Sequence, residues 1–215
     1  LQNIVTIPMS ALKGDNITEL STNTPWYRGE TLMGYLENVQ VEDAAEEAGV
    51  FRMPVQWVNR PNLDFRGYSG IVVRGSIKPG DPVRVLPSGR ESRVARIVTS
   101  DGDLAQVISG QSVTLTLTDE IDISRGDILA ATNTPPSVAD QFEATIVWMS
   151  DEPMLPGRPY LMKIGARTVT ANISLLKYKV NINTLEHVAV TKLELNEIGI
   201  CNLSSDQLIA FDPYK

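Results

Sequence analysis

The sequence predicts a mainly β fold, in which a short strand, loop and helix from the end of an α/β domain precede two antiparallel β-barrels. Within the first fifty residues the apolar positions repeat once with helical spacing, whereas from Phe51 onward they alternate with a period of about two. Short runs rich in β-branched residues lie between Gly, Pro and Asp turns. Pro135-Pro136 interrupts the runs, because a prolyl pair cannot continue a central strand. We therefore expect three regions, 1–50, 51–136 and 137–215.

The first region is predicted to form one strand, one loop and one helix. Ile4, Val5 and Ile7 predict a short strand, and the polar, glycine-containing stretch 10–16 predicts a loop. From Glu30 onward, apolar residues recur on one helical face and predict an amphipathic helix of about three turns. They are Leu32, Met33, Leu36 and Val39. A strand, loop and helix in this order are typical of the last unit of an α/β domain.

The second and third regions read as two strand-rich barrels without a long helix. Closely spaced short strands with frequent turn signals are typical of small antiparallel barrels. In the second region the predicted strands are 55–58, 69–73, 83–86, 93–98, 112–117 and 128–130. In the third they are 144–149, 160–164, 167–176, 178–182, 189–195, 199–203 and 207–211.

The charge of the chain argues against two classes of partner. The 215 residues carry a net charge of −7, and residues 1–51 alone hold eight acidic and two basic side chains. An acidic chain is a poor default partner for free nucleic acid or an anionic membrane. Glu42, Asp43, Glu46 and Glu47 alternate with alanines and predict a solvated helical connector.

Cysteine and histidine usage excludes several kinds of site. Cys201 is the only cysteine and His187 the only histidine, so one chain cannot form a disulfide framework, a CxxC zinc site or a Cys/His cage. The sequence contains no apolar stretch of about 20 residues, which is the length that a membrane-spanning helix needs. We expect a cytoplasmic location, Cys201 in the core and His187 at the surface. Trp57 and Trp148 lie in apolar runs and are expected in the core.

Three arginines lie close together in the second region. Arg90, Arg93 and Arg96 fall within seven residues, and on a regular strand Arg90 and Arg96 would point to one side and Arg93 to the other. The pattern therefore predicts no uniform basic face. Contact with an acidic partner or a nucleotide-binding domain is the functional alternative.

One sequence pattern is specific enough to indicate a family. Residues 70–83 follow the form G-x-[IV]-x-x-G-x-[IL]-K-x-G-D-x-V, in which glycines supply turn conformations and Pro79-Gly80-Asp81 makes a tight hairpin. This stretch resembles the second domain of translation-factor-type GTPases. Further segments, in the same order, resemble the GTP-binding subunit of bacterial sulfate adenylyltransferase. They are 10–16, 24–27, 59–68, 85–89, 97–103, 119–127, 156–160, 178–185 and 195–199.

The resemblance implies a regulatory GTPase with two elongation-factor-type barrels, paired with a smaller catalytic subunit in a heterodimer or larger complex. Together the two subunits convert ATP and sulfate to adenosine 5′-phosphosulfate and pyrophosphate, driven by GTP hydrolysis. Ser10, Ala11 and Leu12 match the family's guanine-contacting tripeptide. The small side chains let the backbone approach the base, and the Ala11 N–H donates to its exocyclic oxygen. Some family members also carry a C-terminal adenylylsulfate kinase domain.

The chain lacks other parts of the family pattern. It contains neither G-x-x-x-x-G-K-[ST] nor Asn-Lys-x-Asp, so we expect the elements that bind the GTP phosphates and Mg upstream of Leu1. The family's closing strands would follow Lys215. We therefore expect a piece of the GTPase subunit that is inactive alone, and assign it no catalytic residue and no metal ligand.

Two alternatives of other classes stay open. One is a fragment of an elongation-factor-like GTPase that holds tRNA on the same architecture. The third region argues against it, because it carries a charge of −2 and no basic stripe with interleaved aromatic residues. The other alternative is a stand-alone two-barrel scaffold for protein interaction.

Overall fold

The computed structural model describes residues 4–39, 50–62 and 64–214. The chain divides into two compact units, Leu1–Asp43 and Ala44–Lys215. Both predicted barrels lie within the second unit, so the boundary expected between residues 136 and 137 stays a prediction. The predicted connector at 42–48 lies outside the described residues.

The first unit contains one short helix. Helix α1 spans Leu32–Asn38, and the Thr31 side chain caps it by accepting from the Gly34 N–H at 3.1 Å. The helix lies where its apolar spacing predicted it, but has two turns instead of about three, and none of its residues is buried. Residues 4–9 form no strand, because the described part of this unit offers no neighbouring strand to pair with.

The first barrel is built from ten antiparallel strands. Its main sheet runs β1-β10-β5-β6-β9-β3-β2, with β7 paired to β6, and β4 and β8 form a separate pair. The strands are β1 Arg52–Pro54, β2 Trp57–Asn62, β3 Phe65–Ile71, β4 Ser76–Ile77, β5 Pro82–Leu86, β6 Glu91–Thr99, β7 Gly102–Asp103, β8 Val107–Ile108, β9 Ser112–Leu117 and β10 Ile128–Ala131.

Closure of this sheet into a barrel depends on contacts between β1 and the chain around β3. The Arg52 N–H donates to the Arg74 carbonyl at 3.0 Å, and the Val73 N–H donates to the Arg52 carbonyl at 2.9 Å. The enclosed core is apolar and includes Tyr68 and Leu115. The antiparallel barrel predicted for this region is confirmed. The sequence did not reveal β1, β4, β7 and β8, because two or three residues are too few to show an alternating pattern.

The second barrel contains five strands, of which two are very long. Its sheet runs β11-β15-β13-β12, and β14 pairs with β13. Single long strands replace two predicted pairs of short ones, since bulges shift the register without ending the strand. The strands are β11 Ser137–Val147, β12 Pro159–Ile164, β13 Arg167–Val180, β14 His187–Val188 and β15 Ile198–Phe211.

The predicted strand at 189–195 is absent. Leu193 is fully buried there, but its backbone pairs only with Met154, through an isolated bridge. An apolar alternation can therefore arise from a loop whose side chains fill the core without a neighbouring strand.

Two ion pairs and a small apolar cluster join the barrels. Arg52 donates from Nε and Nη2 to the Asp212 carboxylate, at 3.0 and 2.9 Å. Arg167 donates to Asp127 at 2.7 Å and to the Leu208 carbonyl at 3.2 Å. Between these pairs, apolar side chains from both barrels pack together: Leu86, Ala130 and Ala210, with Ile128 and Val138 against them.

Gly126 is required for the second of these ion pairs to lie where it does. Its φ is +95°, and a Cβ at this position would lie 2.9 Å from the Cβ of Arg167. Any larger residue would be strained and would push Arg167 away from the first barrel. The Arg-Gly-Asp sequence at 125–127 therefore places Asp127 beside its partner.

Removing the carboxylate of Asp212 should destabilise the two-barrel unit. The Arg52 side chain is 6% exposed, so Asp212→Ala leaves a buried guanidinium without its bidentate acceptor. We expect a loss of about 2 kcal/mol in the free energy of unfolding, measured by urea denaturation. Asp140→Ala is the control, because Asp140 is exposed on β11. Equal effects of the two substitutions would contradict this role for the ion pair.

Candidate functional site

The tripeptide Ser10-Ala11-Leu12 forms the start of a tight turn in the first unit. Ser10 and Asp15 close the turn through two backbone hydrogen bonds of 3.3 and 3.2 Å. The Lys13 N–H donates to Ser10 Oγ at 3.4 Å, which orients the hydroxyl into the turn. Leu12 is 96% exposed, so its side chain packs on none of the described residues.

The turn presents unpaired backbone donors. Within residues 4–39, the N–H groups of Ala11 and Leu12 donate to no protein acceptor. An exposed turn with free N–H groups and a small side chain can approach the edge of a planar base and donate to a carbonyl oxygen on it. The geometry is thus compatible with the predicted guanine contact, which stays a prediction.

Asn16 holds this turn in place, and the sequence interpretation missed it. The residue is fully buried and has a φ of +55°, in the left-handed region that Asn tolerates better than most residues. Its amide Nδ2 donates to the Pro8 carbonyl at 2.6 Å and to Thr24 Oγ1 at 2.8 Å, while its Oδ1 accepts from the Ser21 N–H at 2.8 Å.

The backbone of Asn16 also connects the turn to helix α1. Its carbonyl accepts from the Leu32 N–H at 2.9 Å, and the Ile17 carbonyl accepts from the Met33 N–H at 3.0 Å. These two N–H groups lie in the first turn of the helix, where no intrahelical acceptor exists. One asparagine therefore links the turn, the 21–24 segment and the helix. The Gly14-Asp15-Asn16 sequence predicts a turn, but it does not single out Asn16 as the residue that holds the unit together.

Asp15 adds a charged contact to the same network. Its Oδ1 accepts from Ser21 Oγ at 2.5 Å and from Asn23 Nδ2 at 2.9 Å. These two hydrogen bonds stabilise the carboxylate and lower the pKa of Asp15 below its usual value. The side chain is therefore ionised at neutral pH and acts as an acceptor that fixes the 21–23 segment.

The other residues singled out from the sequence have different surroundings. Cys201 is buried, as predicted, and burial raises the pKa of its thiol. His187 is exposed, as predicted, and stacks on Tyr178 with ring centroids 4.0 Å apart. Trp148 packs against the second core, whereas Trp57 is 61% exposed on the edge strand β2, so its core prediction is wrong.

The arginines of β6 do not point as a regular strand would place them. A register shift between Val94 and Arg96 leaves both Arg93 and Arg96 on the exposed face. Arg93 donates to the Gly80 carbonyl, and Arg96 forms a bidentate pair with Asp103 at 2.6 and 2.9 Å. The prediction that Arg93 faces away from Arg96 is therefore wrong, because a bulge resets the alternation.

Neither a metal cluster nor a membrane-spanning helix is found in the part of the chain that the structure describes. No group of three or more His, Cys, Asp or Glu side chains there could hold an ion. No described helix is both long and apolar enough to cross a bilayer.

Replacement of Asn16 should loosen the whole first unit. In Asn16→Gly the left-handed backbone is retained but three hydrogen bonds are lost, which we expect to cost about 2 kcal/mol. Asn16→Ala should cost about 1 kcal/mol more, because alanine is strained at positive φ. Amide hydrogen exchange at Leu32 and Met33 measures both effects. Glu37→Ala, at an exposed helix position, should leave the exchange of these two amides nearly unchanged.

Two family models match separate parts of the chain. The model described as elongation factor Tu domain 2 matches residues 68–130, and the GTP-eEF1A C-terminal domain-like model matches residues 141–215. The first match lies within the ten-stranded barrel and the second within the five-stranded one. The two barrels are therefore of the elongation-factor type.

Curated relatives match the whole chain at about half identity. The bifunctional enzyme NodQ of Azospirillum brasilense is 50% identical over 214 residues, which cover 100% of this chain and 34% of the relative. Subunit 1 of sulfate adenylyltransferase from Saccharophagus degradans is 46% identical over 214 residues, covering 100% of this chain and 45% of the relative. The chain thus spans between about a third and a half of the length of these relatives.

Solved structures of translation GTPases share the fold. A crystal structure of sup35 complexed with GDP has a TM-score of 0.71 and 22% identity, covering 95% of this chain and 51% of that one. The elongation factor SelB of Methanococcus maripaludis, in its apo form, has a TM-score of 0.64 and 20% identity, covering 84% of this chain and 40% of that one.

Proposed function

We propose that this chain, which belongs to the family of sulfate adenylyltransferase subunit 1 and the NodQ enzymes, is part of a regulatory GTPase subunit. In the full-length protein, the barrels couple the nucleotide state to a smaller catalytic subunit that forms adenosine 5′-phosphosulfate from ATP and sulfate. The observation that carries the proposal is the identity of about half over the entire chain, across both barrels and the first unit. The protein acts in the cytoplasm.

The first unit supports a role in recognising the nucleotide. The Ser10-Ala11-Leu12 turn offers free N–H donors, and Asn16 keeps it fixed against the start of helix α1. In this proposal the Ala11 N–H donates to the exocyclic oxygen of guanine, and the small side chains of Ser10 and Ala11 let the backbone approach the ring. The phosphates and Mg are held by residues outside this chain, since its sequence contains no phosphate-binding loop.

The contacts within the second unit support a role in transmitting a conformational signal. A conformational signal passes efficiently through elements that move as one body. The Arg52–Asp212 and Arg167–Asp127 pairs and the apolar cluster between them connect the barrels in this way. The barrels then respond together when the nucleotide changes and present a different surface to the catalytic subunit.

The complete protein should associate with the smaller subunit and need GTP for activity. We expect the two subunits, expressed together, to co-purify and to form adenosine 5′-phosphosulfate several times faster with GTP than with GDP. A pyrophosphate-release assay measures the rate. The 215-residue chain alone should neither hydrolyse GTP nor support synthesis. Synthesis that ignores GTP would contradict the regulatory role, and co-purification with RNA instead of a protein would favour the tRNA carrier.

The guanine contact has its own test in the full-length protein. Ala11→Pro removes the N–H donor and should weaken GTP binding about tenfold, the worth of one good hydrogen bond. Ala11→Gly retains the donor and should bind GTP nearly as the wild type does. Isothermal titration with 2-aminopurine riboside triphosphate, which lacks the exocyclic oxygen, should give equal affinities for all three proteins. A Pro variant that binds GTP normally would argue against this turn as the guanine site.

A further inference from the structure

The surface of the first barrel carries a cavity that contains no charged group. The cavity has a volume of about 390 Å³ and spans four neighbouring strands, from β2 across β3 and β9 to β6. Although 21% of the residues of the chain are charged, none of the described residues that line this cavity is. Its volume is within the usual range for a small-molecule site, about 300–1,000 Å³.

The register of the strands places the floor of this cavity on the outer side of the sheet. Tyr68 faces the core, so its neighbour Ser69 faces outward, as does Thr114, the partner of Ser69 on β9. The hydroxyl groups of Ser69 and Thr114 are hydrogen-bonded to each other at 2.8 Å. Asn59 of β2 lies opposite Gly67 and therefore on the same outer side. The floor is polar and is held by a contact within the protein.

The ring of Phe65 forms an apolar wall of the same cavity. A Cβ at Gly67 would lie 2.7 Å from Phe65 Cε1 and 2.5 Å from Thr114 Cγ2, so the ring covers the backbone at Gly67 on the outer side. Only a residue without a side chain leaves room for the ring there. Trp57, two positions before Asn59, lies on this side of β2 and is 61% exposed. Aromatic surface is therefore available beside the polar floor.

Four polar side chains at the cavity have unused hydrogen-bonding capacity. In the described part of the chain, no hydrogen bond is made by the carboxamides of Gln56 and Asn59 or by the hydroxyls of Ser100 and Ser112. A carboxamide offers two donors and an acceptor, and a hydroxyl can both donate and accept. The cavity can therefore form several hydrogen bonds to a ligand without breaking those of its floor.

These features select one class of ligand. A charged ligand would lose water without gaining an opposite charge, which the cavity does not supply. A purely apolar ligand would cover polar side chains and leave them without partners. A sugar ring avoids both costs, because its C–H groups pack on an aromatic ring while the hydroxyl groups at its edge donate and accept hydrogen bonds. Phe65 and the free carboxamides match these two parts of a sugar.

We propose that this cavity binds a neutral sugar ring. The C–H face of the ring packs on Phe65, and its hydroxyl groups bond to the carboxamides of Asn59 and Gln56 and to the Ser112 hydroxyl. A free sugar and the ribose of a nucleoside share this chemistry, since both present neighbouring hydroxyl groups at the edge of a ring. The inference does not depend on the proposed function, because the cavity lies in the second unit and the guanine contact was assigned to the first.

Saturation-transfer NMR on the full-length protein tests the site. The probes are methyl glucoside, ribose, adenosine and guanosine, with GDP present in excess so that no nucleoside occupies a guanine nucleotide site. We expect saturable binding with a Kd of about 1 mM and the strongest transfer to ring C–H protons. Binding of the glucoside identifies a free sugar, whereas binding of ribose and the nucleosides without the glucoside identifies ribose. Ribose 5-phosphate should bind no more tightly than ribose, because no cation lines the cavity.

Two variants and a matched control locate the binding. Asn59→Ala and Ser112→Ala each remove one hydrogen-bonding group and should weaken binding about fivefold. Neither side chain is bonded in the free protein, so the thermal midpoint should stay nearly unchanged. Gln141→Ala removes an exposed carboxamide from β11 of the other barrel and should bind normally. Wild-type affinity in both variants, or no saturable binding of any probe, would overturn the inference and leave the proposed function intact.

Discussion

The salt bridge between Arg52 and Asp212 is the contact on which the arrangement of the two barrels most depends. It joins the first strand of one barrel to the residue that follows the last strand of the other, 160 positions later. Arg52 also donates from Nη1 to the Phe51 carbonyl at 2.9 Å, so its guanidinium is satisfied while almost fully buried. Burial of a charge is tolerated only when such partners are complete, and this makes the geometry specific.

The same strand serves two purposes at once. The backbone of Arg52 pairs with Arg74 and closes the first barrel, while its side chain reaches the second. Closure of one barrel and attachment of the other are therefore coupled through a single residue. The Arg167–Asp127 pair supplies a second point of attachment, and two separated points resist rotation where one would not. These two ion pairs support the proposal that the barrels move together.

The sequence predicted those features that depend on local alternation. Each of the six strands expected in the first barrel overlaps an observed strand, because one face of each packs on the core. The bulges that interrupt the regular strand register were harder to predict. The bulge before Arg96 and those in β13 and β15 depend on pairing between distant segments, which no local pattern reveals. The segment around Leu193 was wrongly predicted as a strand. Its apolar residues alternate as in a strand, but Leu193 is buried in the core from a loop.

In the candidate site, too, the sequence predicted what contiguous residues form and missed what depends on the folded structure. The Ser10-Ala11-Leu12 turn could be found from the sequence, because the residues that make it are contiguous. Asn16 could not be ranked above other loop asparagines, since its importance lies in burial and in a positive φ.

The strand order of the first barrel gives its two halves different roles. Strands β1, β10 and β5 supply Arg52, Ala130 and Leu86 to the contact with the second barrel. Strands β6, β9, β3 and β2 form the remaining half, which ends at the exposed edge strand β2. Because both ion pairs join the first half to the second barrel, a rotation of one barrel against the other would have to break them.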